Sequence, residues 1–194
     1  MRRHLPSLLA FFACFSHGTA VASQTGPAIG SIAPDFKARN LLTGEVIPLS
    51  SQRGKAVILT FWASWCAPCR RELPILERAQ SVVGKDRLTV FAVSYRETPD
   101  AERALKKLAS TWHINLIQDG NGWIAGHYGI SSIPHLFLID REGKVVANHL
   151  GYGDRSLEEL VADINRALAE ATPADQDAPS PPPPAGPTSI ASNR

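Results

Sequence analysis

An uncharged run, AVILTFWA at 56–63, leads directly into Ser64-Trp65-Cys66-Ala67-Pro68-Cys69 and then into a segment with helical spacing. No other stretch restricts the fold as much. An apolar run rich in β-branched and aromatic residues suits a strand buried on both faces, which calls for a sheet covered by helices on both sides. The following residues, 67–83, set Leu73, Leu76, Ala79 and Val83 on one side of a helix, with Pro74 inside it expected to produce a kink. Two cysteines therefore stand where a buried strand hands over to a helix N-terminus.

That placement has chemical consequences. The first turn of a helix offers free backbone N–H groups and the positive end of the dipole, both of which favour a thiolate. Cys66 is thus expected to have a lowered pKa and to be the attacking sulfur. Cys69, one turn later and deeper, is expected to resolve the mixed disulfide. Pro68 opens the helix where no backbone donor is needed. The alternative is metal ligation, which usually calls for four ligands. The chain has three cysteines, and the third, Cys14, lies in the N-terminal segment discussed below. His113, His127, His135 and His149 are scattered. The reading is a redox pair, with no metal and no cofactor assigned.

The rest of the chain alternates strand and helix patterns. Strands are expected at 87–94, 115–118, 136–140 and 144–150, the last two joined by Arg141-Glu142-Gly143 as a hairpin. Helices are expected at 99–112, opened by Pro99, and at 123–128, ended by Gly129. A last helix should start at a Ser156 cap, with Glu159 completing a capping box, and run to about Glu170. This order predicts an α/β fold with a mixed sheet and helices on both faces. Phe61 and Trp62 are expected in the core, and Trp123 and Tyr128 in packing roles.

Both ends read differently. Residues 1–22 have a basic start, a short apolar stretch and Ala20-Val21-Ala22, the pattern of an export signal cut after Ala22; an uncleaved anchor is the alternative. Residues 23–29 read as a linker and 30–171 as the folded domain. Residues 172–194, with four consecutive prolines from Pro181, have too little apolar content to order themselves and read as a disordered tail. Without Arg2 and Arg3 the 20 basic residues become 18, matching the 18 acidic ones, so nothing suggests a nucleic-acid partner.

Four segments carry a family likeness: GSIAPDF at 30–36, FWASWCAPCRRELP at 61–74, IPHLFLIDREGKVV at 133–146, and Gly151 with the final helix. Over residues 30–171 the chain resembles the thioredoxin superfamily, most closely its TlpA/ResA-like branch of exported thiol–disulfide oxidoreductases. The resemblance implies a thioredoxin fold and a Cys66–Cys69 disulfide in the oxidised state. It implies that Pro134 is a cis-proline facing that disulfide, an outcome that is the minority for X-Pro bonds in general. It further implies that Ile133 offers backbone hydrogen bonds to a bound substrate segment, that Trp65 is an exposed aromatic beside Cys66, and that Glu72 is an acidic residue under the active site. Thioredoxin's buried aspartate on the preceding strand is replaced here by Thr60.

Glu72 has a physical reading as well. Three residues after Cys69, it shares a helix side with that thiol and could relay its proton if buried. On this reading a Glu72→Gln change should slow exchange most at low pH. A solvated first-turn glutamate is the alternative. His135 replaces the usual threonine after the cis-proline; a cationic imidazole there would favour the Cys66 thiolate, while simple packing is the plainer reading. The function expected is reduction of protein disulfides outside the cytoplasm, in cytochrome c maturation or copper-site assembly, with recharging by a membrane electron-donor protein. Thiol peroxidase activity, suggested by residues 30–36, and non-enzymatic copper carriage are the alternatives. Trp62 and Cys66 fall where a peroxidase with Cys69 as its reactive sulfur would need proline and threonine.

Overall fold

All seven residues of Ala56–Trp62 are buried, so this strand can only sit in the middle of a sheet with both faces covered. The computed structural model of the chain describes residues 26–98, 100–101, 103 and 112–169. The expected signal at 1–22, most of the helix at 99–112 and the tail at 172–194 lie outside these residues.

In chain order the elements are β1 (Lys37–Arg39), β2 (Val46–Pro48), a 3-10 turn (Leu49–Gln52), β3 (Ala56–Trp62), α1 (Ala67–Val83) and β4 (Leu88–Ser94). They continue with β5 (Asn115–Gln118), α2 (Trp123–His127), β6 (His135–Ile139), β7 (Val145–Leu150) and α3 (Asp154–Ala169). Five strands form one sheet in the order β5-β4-β3-β6-β7. β3 runs parallel to β4, and β4 to β5, while β6 is antiparallel to both β3 and β7. β1 and β2 form a separate antiparallel pair.

Period-2 alternation divides the core into two layers. Ile58 and Trp62 of β3 face the side where Cys69, Leu73 and Leu76 of α1 and Leu160 and Ile164 of α3 pack. Val57, Leu59 and Phe61 face the other side, covered by Phe36, Ala38, Ile47, Leu49 and the α2 residues Ile124 and Ala125. The fold is therefore a mixed α/β sheet with helices on both faces.

α1 continues through Pro74 to Val83 and stops at Gly84, whose φ of 97° is one that L-residues rarely adopt. α3 begins at Asp154, so Ser156 lies inside its first turn and is not the cap expected from the sequence. Asp154 and Ser156 stand two residues apart and both suit a helix start, so local pattern alone does not choose between them. The pairing of β1 with β2 was not legible in the sequence: each is three residues long, too short to show alternation.

Candidate active site

The chain leaves β3 at Trp62, whose carbonyl accepts from Tyr95 N–H at 2.7 Å, and turns through residues 63–66 into α1. Cys66 is the N-cap of α1, with extended backbone, and its sulfur accepts from the backbone N–H of Cys69 at 3.3 Å. Cys66 and Cys69 form a disulfide. The outer sulfur thus stands where orphan helix donors stabilise negative charge once the bond is reduced. Cys66 is 5% exposed and Cys69 0%, the asymmetry expected of an attacking and a resolving thiol. Trp65, just before them, is 62% exposed.

Glu72 lies one turn beyond Cys69 and is only 5% exposed, so the reading of a solvated glutamate does not hold. Burial pushes its pKa up to about 7, against the opposing effect of a hydrogen bond donated by the Thr60 hydroxyl at 3.0 Å. Thr60 is itself fully buried. The position that would carry a buried aspartate here instead carries a donor that holds a carboxylate belonging to the helix.

The Ile133–Pro134 bond is cis. β6 starts at the next residue, and its register sets His135 opposite Phe61. Pro134 is therefore level with the end of β3 from which the cysteine loop emerges. The Pro134 carbonyl accepts from Gly151 N–H at 2.9 Å. Ile133 is partly buried and touches both core layers.

His135 does not join this group. Its ring stacks on Phe137 at 4.7 Å, in the core layer opposite the cysteines, and its Nε2 stands 2.6 Å from Asn148 Oδ1. Burial pushes its pKa down, which disfavours the cationic form that a thiolate partner would need. Packing is the reading that the geometry supports.

One contact in the site could not be found from the sequence. Glu97, in the loop after β4, accepts from both the backbone N–H and the hydroxyl of Ser64, the latter at 2.9 Å. It ties down the loop two residues before Cys66. Thirty-three residues separate the pair, and no local pattern marks it. Among the described residues no group of three or more His, Cys, Asp or Glu side chains is placed to hold a metal.

The AhpC/TSA family matches residues 29–148. The chain belongs to that family. Within it, the chain is similar to thioredoxin-like protein YneN of Bacillus subtilis, 34% identical over 73% of this chain and 83% of that protein. It is also similar to the thiol–disulfide oxidoreductase ResA of Geobacillus thermodenitrificans, 33% identical over 71% of this chain and 78% of that one. Among solved structures, a Chlorobium tepidum protein, a candidate thiol:disulfide interchange protein DsbE, superposes with a TM-score of 0.66 at 34% identity, covering 73% of this chain and 99% of that one. This AhpC/TSA family member is accordingly a thioredoxin-fold thiol–disulfide oxidoreductase of the ResA/DsbE type, with Cys66 and Cys69 as its redox pair.

Proposed function

We propose that this oxidoreductase works outside the cytoplasm as a reductant of protein disulfides. The observation that carries the proposal is the Cys66 sulfur at the N-cap of α1, with fully buried Cys69 one turn behind it. In the reduced protein the Cys66 thiolate attacks a substrate disulfide and Cys69 displaces the substrate from the resulting mixed disulfide. Glu72 takes the Cys69 proton as that sulfur attacks, and its raised pKa suits a base near neutral pH. Trp65 and the Ile133–Pro134 edge hold an extended substrate segment, the exposed ring by apolar contact and Ile133 through its backbone. Substrates are protein segments that present a disulfide in extended form, among them the cysteine pairs of apocytochrome c before haem attachment. A membrane electron-donor protein returns the pair to the dithiol.

Two features support the location. Residues 1–22 have the pattern of an export signal, and the chain is 28% identical to the pneumococcal exposed lipoprotein thioredoxin, with a TM-score of 0.57. No helix among the described residues is long and apolar enough to cross a membrane.

The test is a mixed-disulfide trap. A Cys69→Ala chain produced in cells should accumulate covalent adducts through Cys66 that reductant releases, and their identification names the substrate. Purified wild type should reduce insulin disulfides and leave hydrogen peroxide unconsumed. Peroxide turnover without insulin reduction would overturn the proposal in favour of a thiol peroxidase.

A further inference from the structure

Beside Glu72 lies a second pair of titratable side chains that the electron transfer itself does not use. His149 Nε2 stands 3.0 Å from Asp163 Oδ2, joining β7 to α3, with the two side chains 13% and 17% exposed. The sheet register links this pair to the active site. Thr60 on β3 is level with Leu136 on β6, and Leu136 is level with His149 on β7. Three neighbouring strands thus carry the hydrogen-bond donor of Glu72, a leucine and the imidazole in one row. At about 4.8 Å between strands, the ends of that row are roughly 10 Å apart. α1 reaches the row through Glu72, and α3 reaches it through Asp163.

The gap is not filled by side chains. A cavity of about 10 Å³ lies there, lined by Glu72, Leu136, His149, Gly151, Tyr152 and Leu160 among others. That is room for one water, in a lining whose polar side chains belong to Glu72, His149 and Tyr152. The other charges around it are Arg166 on α3, 2.9 Å from Asp163, and Arg71 on α1, 5.9 Å from the centre of the Tyr152 ring. The sheet contributes no ionisable group to the lining besides His149.

A base this deeply buried must also lose the proton it accepts, or it serves one turnover only. We propose that Glu72 exchanges its proton with solvent through a single water in this cavity and the His149 imidazole, which Asp163 holds in place. This rests on the reading of Glu72 as the base for Cys69. In the resolving step the Cys69 thiol gives its proton to the Glu72 carboxylate while its sulfur attacks Cys66. The Cys66–Cys69 bond forms, the Cys66–substrate bond breaks, and the electron pair leaves on the substrate thiolate. Glu72 then passes the proton to the water, the water to His149, and His149 to solvent, where the released thiolate takes up a proton. His149 acts through Glu72 and touches neither sulfur. A carboxyl titrating near neutrality can run this route in both directions.

The experiment is stopped-flow mixing of the reduced full-length chain with excess oxidised glutathione, following the resolving step by tryptophan fluorescence from pH 5.5 to 9. Wild type should resolve in one phase at every pH, because protonated and ionised Glu72 interconvert quickly. His149→Gln should become biphasic near pH 7. Its fast phase should carry the ionised fraction of Glu72, and its slow phase should be about tenfold slower and accelerate with added imidazole buffer. A merely structural role for His149 predicts one phase and no imidazole dependence. If Glu72→Gln slows resolution while His149→Gln matches wild type, the route is wrong and the reading of Glu72 stands. If Glu72→Gln itself matches wild type, both fall. Should His149→Gln fail to fold, Asp163→Asn decides, because it frees the imidazole that the route needs held in place. It should give the same two phases with the same imidazole dependence, and a single phase like that of wild type overturns the route.

Discussion

The Thr60 hydroxyl donates to the Glu72 carboxylate across 3.0 Å, with both residues buried between the central strand and the active-site helix. One hydrogen bond does not offset the loss of hydration, and the pKa of the carboxyl stays raised at about 7. Folding therefore favours protonated Glu72. A raised folded pKa means that stability is fully present below the unfolded value near 4.5 and is lost as pH rises through about 7.

We predict that oxidised wild type loses about 3 kcal/mol of stability between pH 4.5 and 7.5 from this group. Glu72→Gln should remove that slope, making the variant the more stable protein at pH 8 and similar to wild type at pH 4. Urea unfolding of both proteins across this range is the measurement. Parallel curves would mean that the carboxylate is solvated after all. The raised pKa also moves the kinetic window expected from the sequence. Below pH 7 Glu72 is already protonated and cannot act as a base, so the cost of Glu72→Gln to exchange falls above pH 7 and not at low pH.

The two thiols should differ in reactivity. On reduction, Cys66 should react with iodoacetamide at least about tenfold faster than Cys69, because it is the outer sulfur and faces helix donors. Mass spectrometry of partially labelled protein reads this directly. Faster labelling of Cys69 would exchange the two roles. Cys66→Ser should lower insulin reduction by more than about a thousandfold.

The Glu97–Ser64 contact sets the loop before Cys66. Glu97→Ala removes a charged acceptor from two donors and should cost about 1–3 kcal/mol of stability. Reductase kcat/KM should fall with it, and Glu97→Gln, which keeps an acceptor, should recover part of both. Equal loss in the two variants would show that the charge matters and the hydrogen bonds do not.

Trp65 projects into solvent, so Trp65→Ala should change stability by less than about 0.5 kcal/mol. KM for insulin should rise several-fold, while reduction of oxidised glutathione, too small to reach the ring, stays unchanged. An equal loss with both substrates would place Trp65 in the chemistry and not in recognition.

The parts of this molecule legible in the sequence are those whose information is local. The run at 56–63 is apolar at nearly every position, so its burial in mid-sheet follows from hydrophobicity alone. The helix start at Cys66 follows from Pro68 and the helical spacing after it, and with it the unequal depth of the two sulfurs. Glu72 could be put on the side of Cys69 by counting residues, but whether it faced solvent or core could not. That depended on Thr60 of β3 meeting the helix side that carries Glu72, a matter of packing between elements.

Tertiary structure alone decided the rest. The face to which His135 turns was set by the register of β6 against β3, and a shift of one residue would have turned it toward the cysteines. Glu97 meets Ser64 because parallel strands β3 and β4 end side by side, and His149 meets Asp163 because α3 folds back over β7. Helix geometry acts over a few residues, so the place of the reactive sulfurs on their helix was readable from local sequence. The surroundings that set proton affinity and access come from chain segments far apart in sequence, and only folding brings those together.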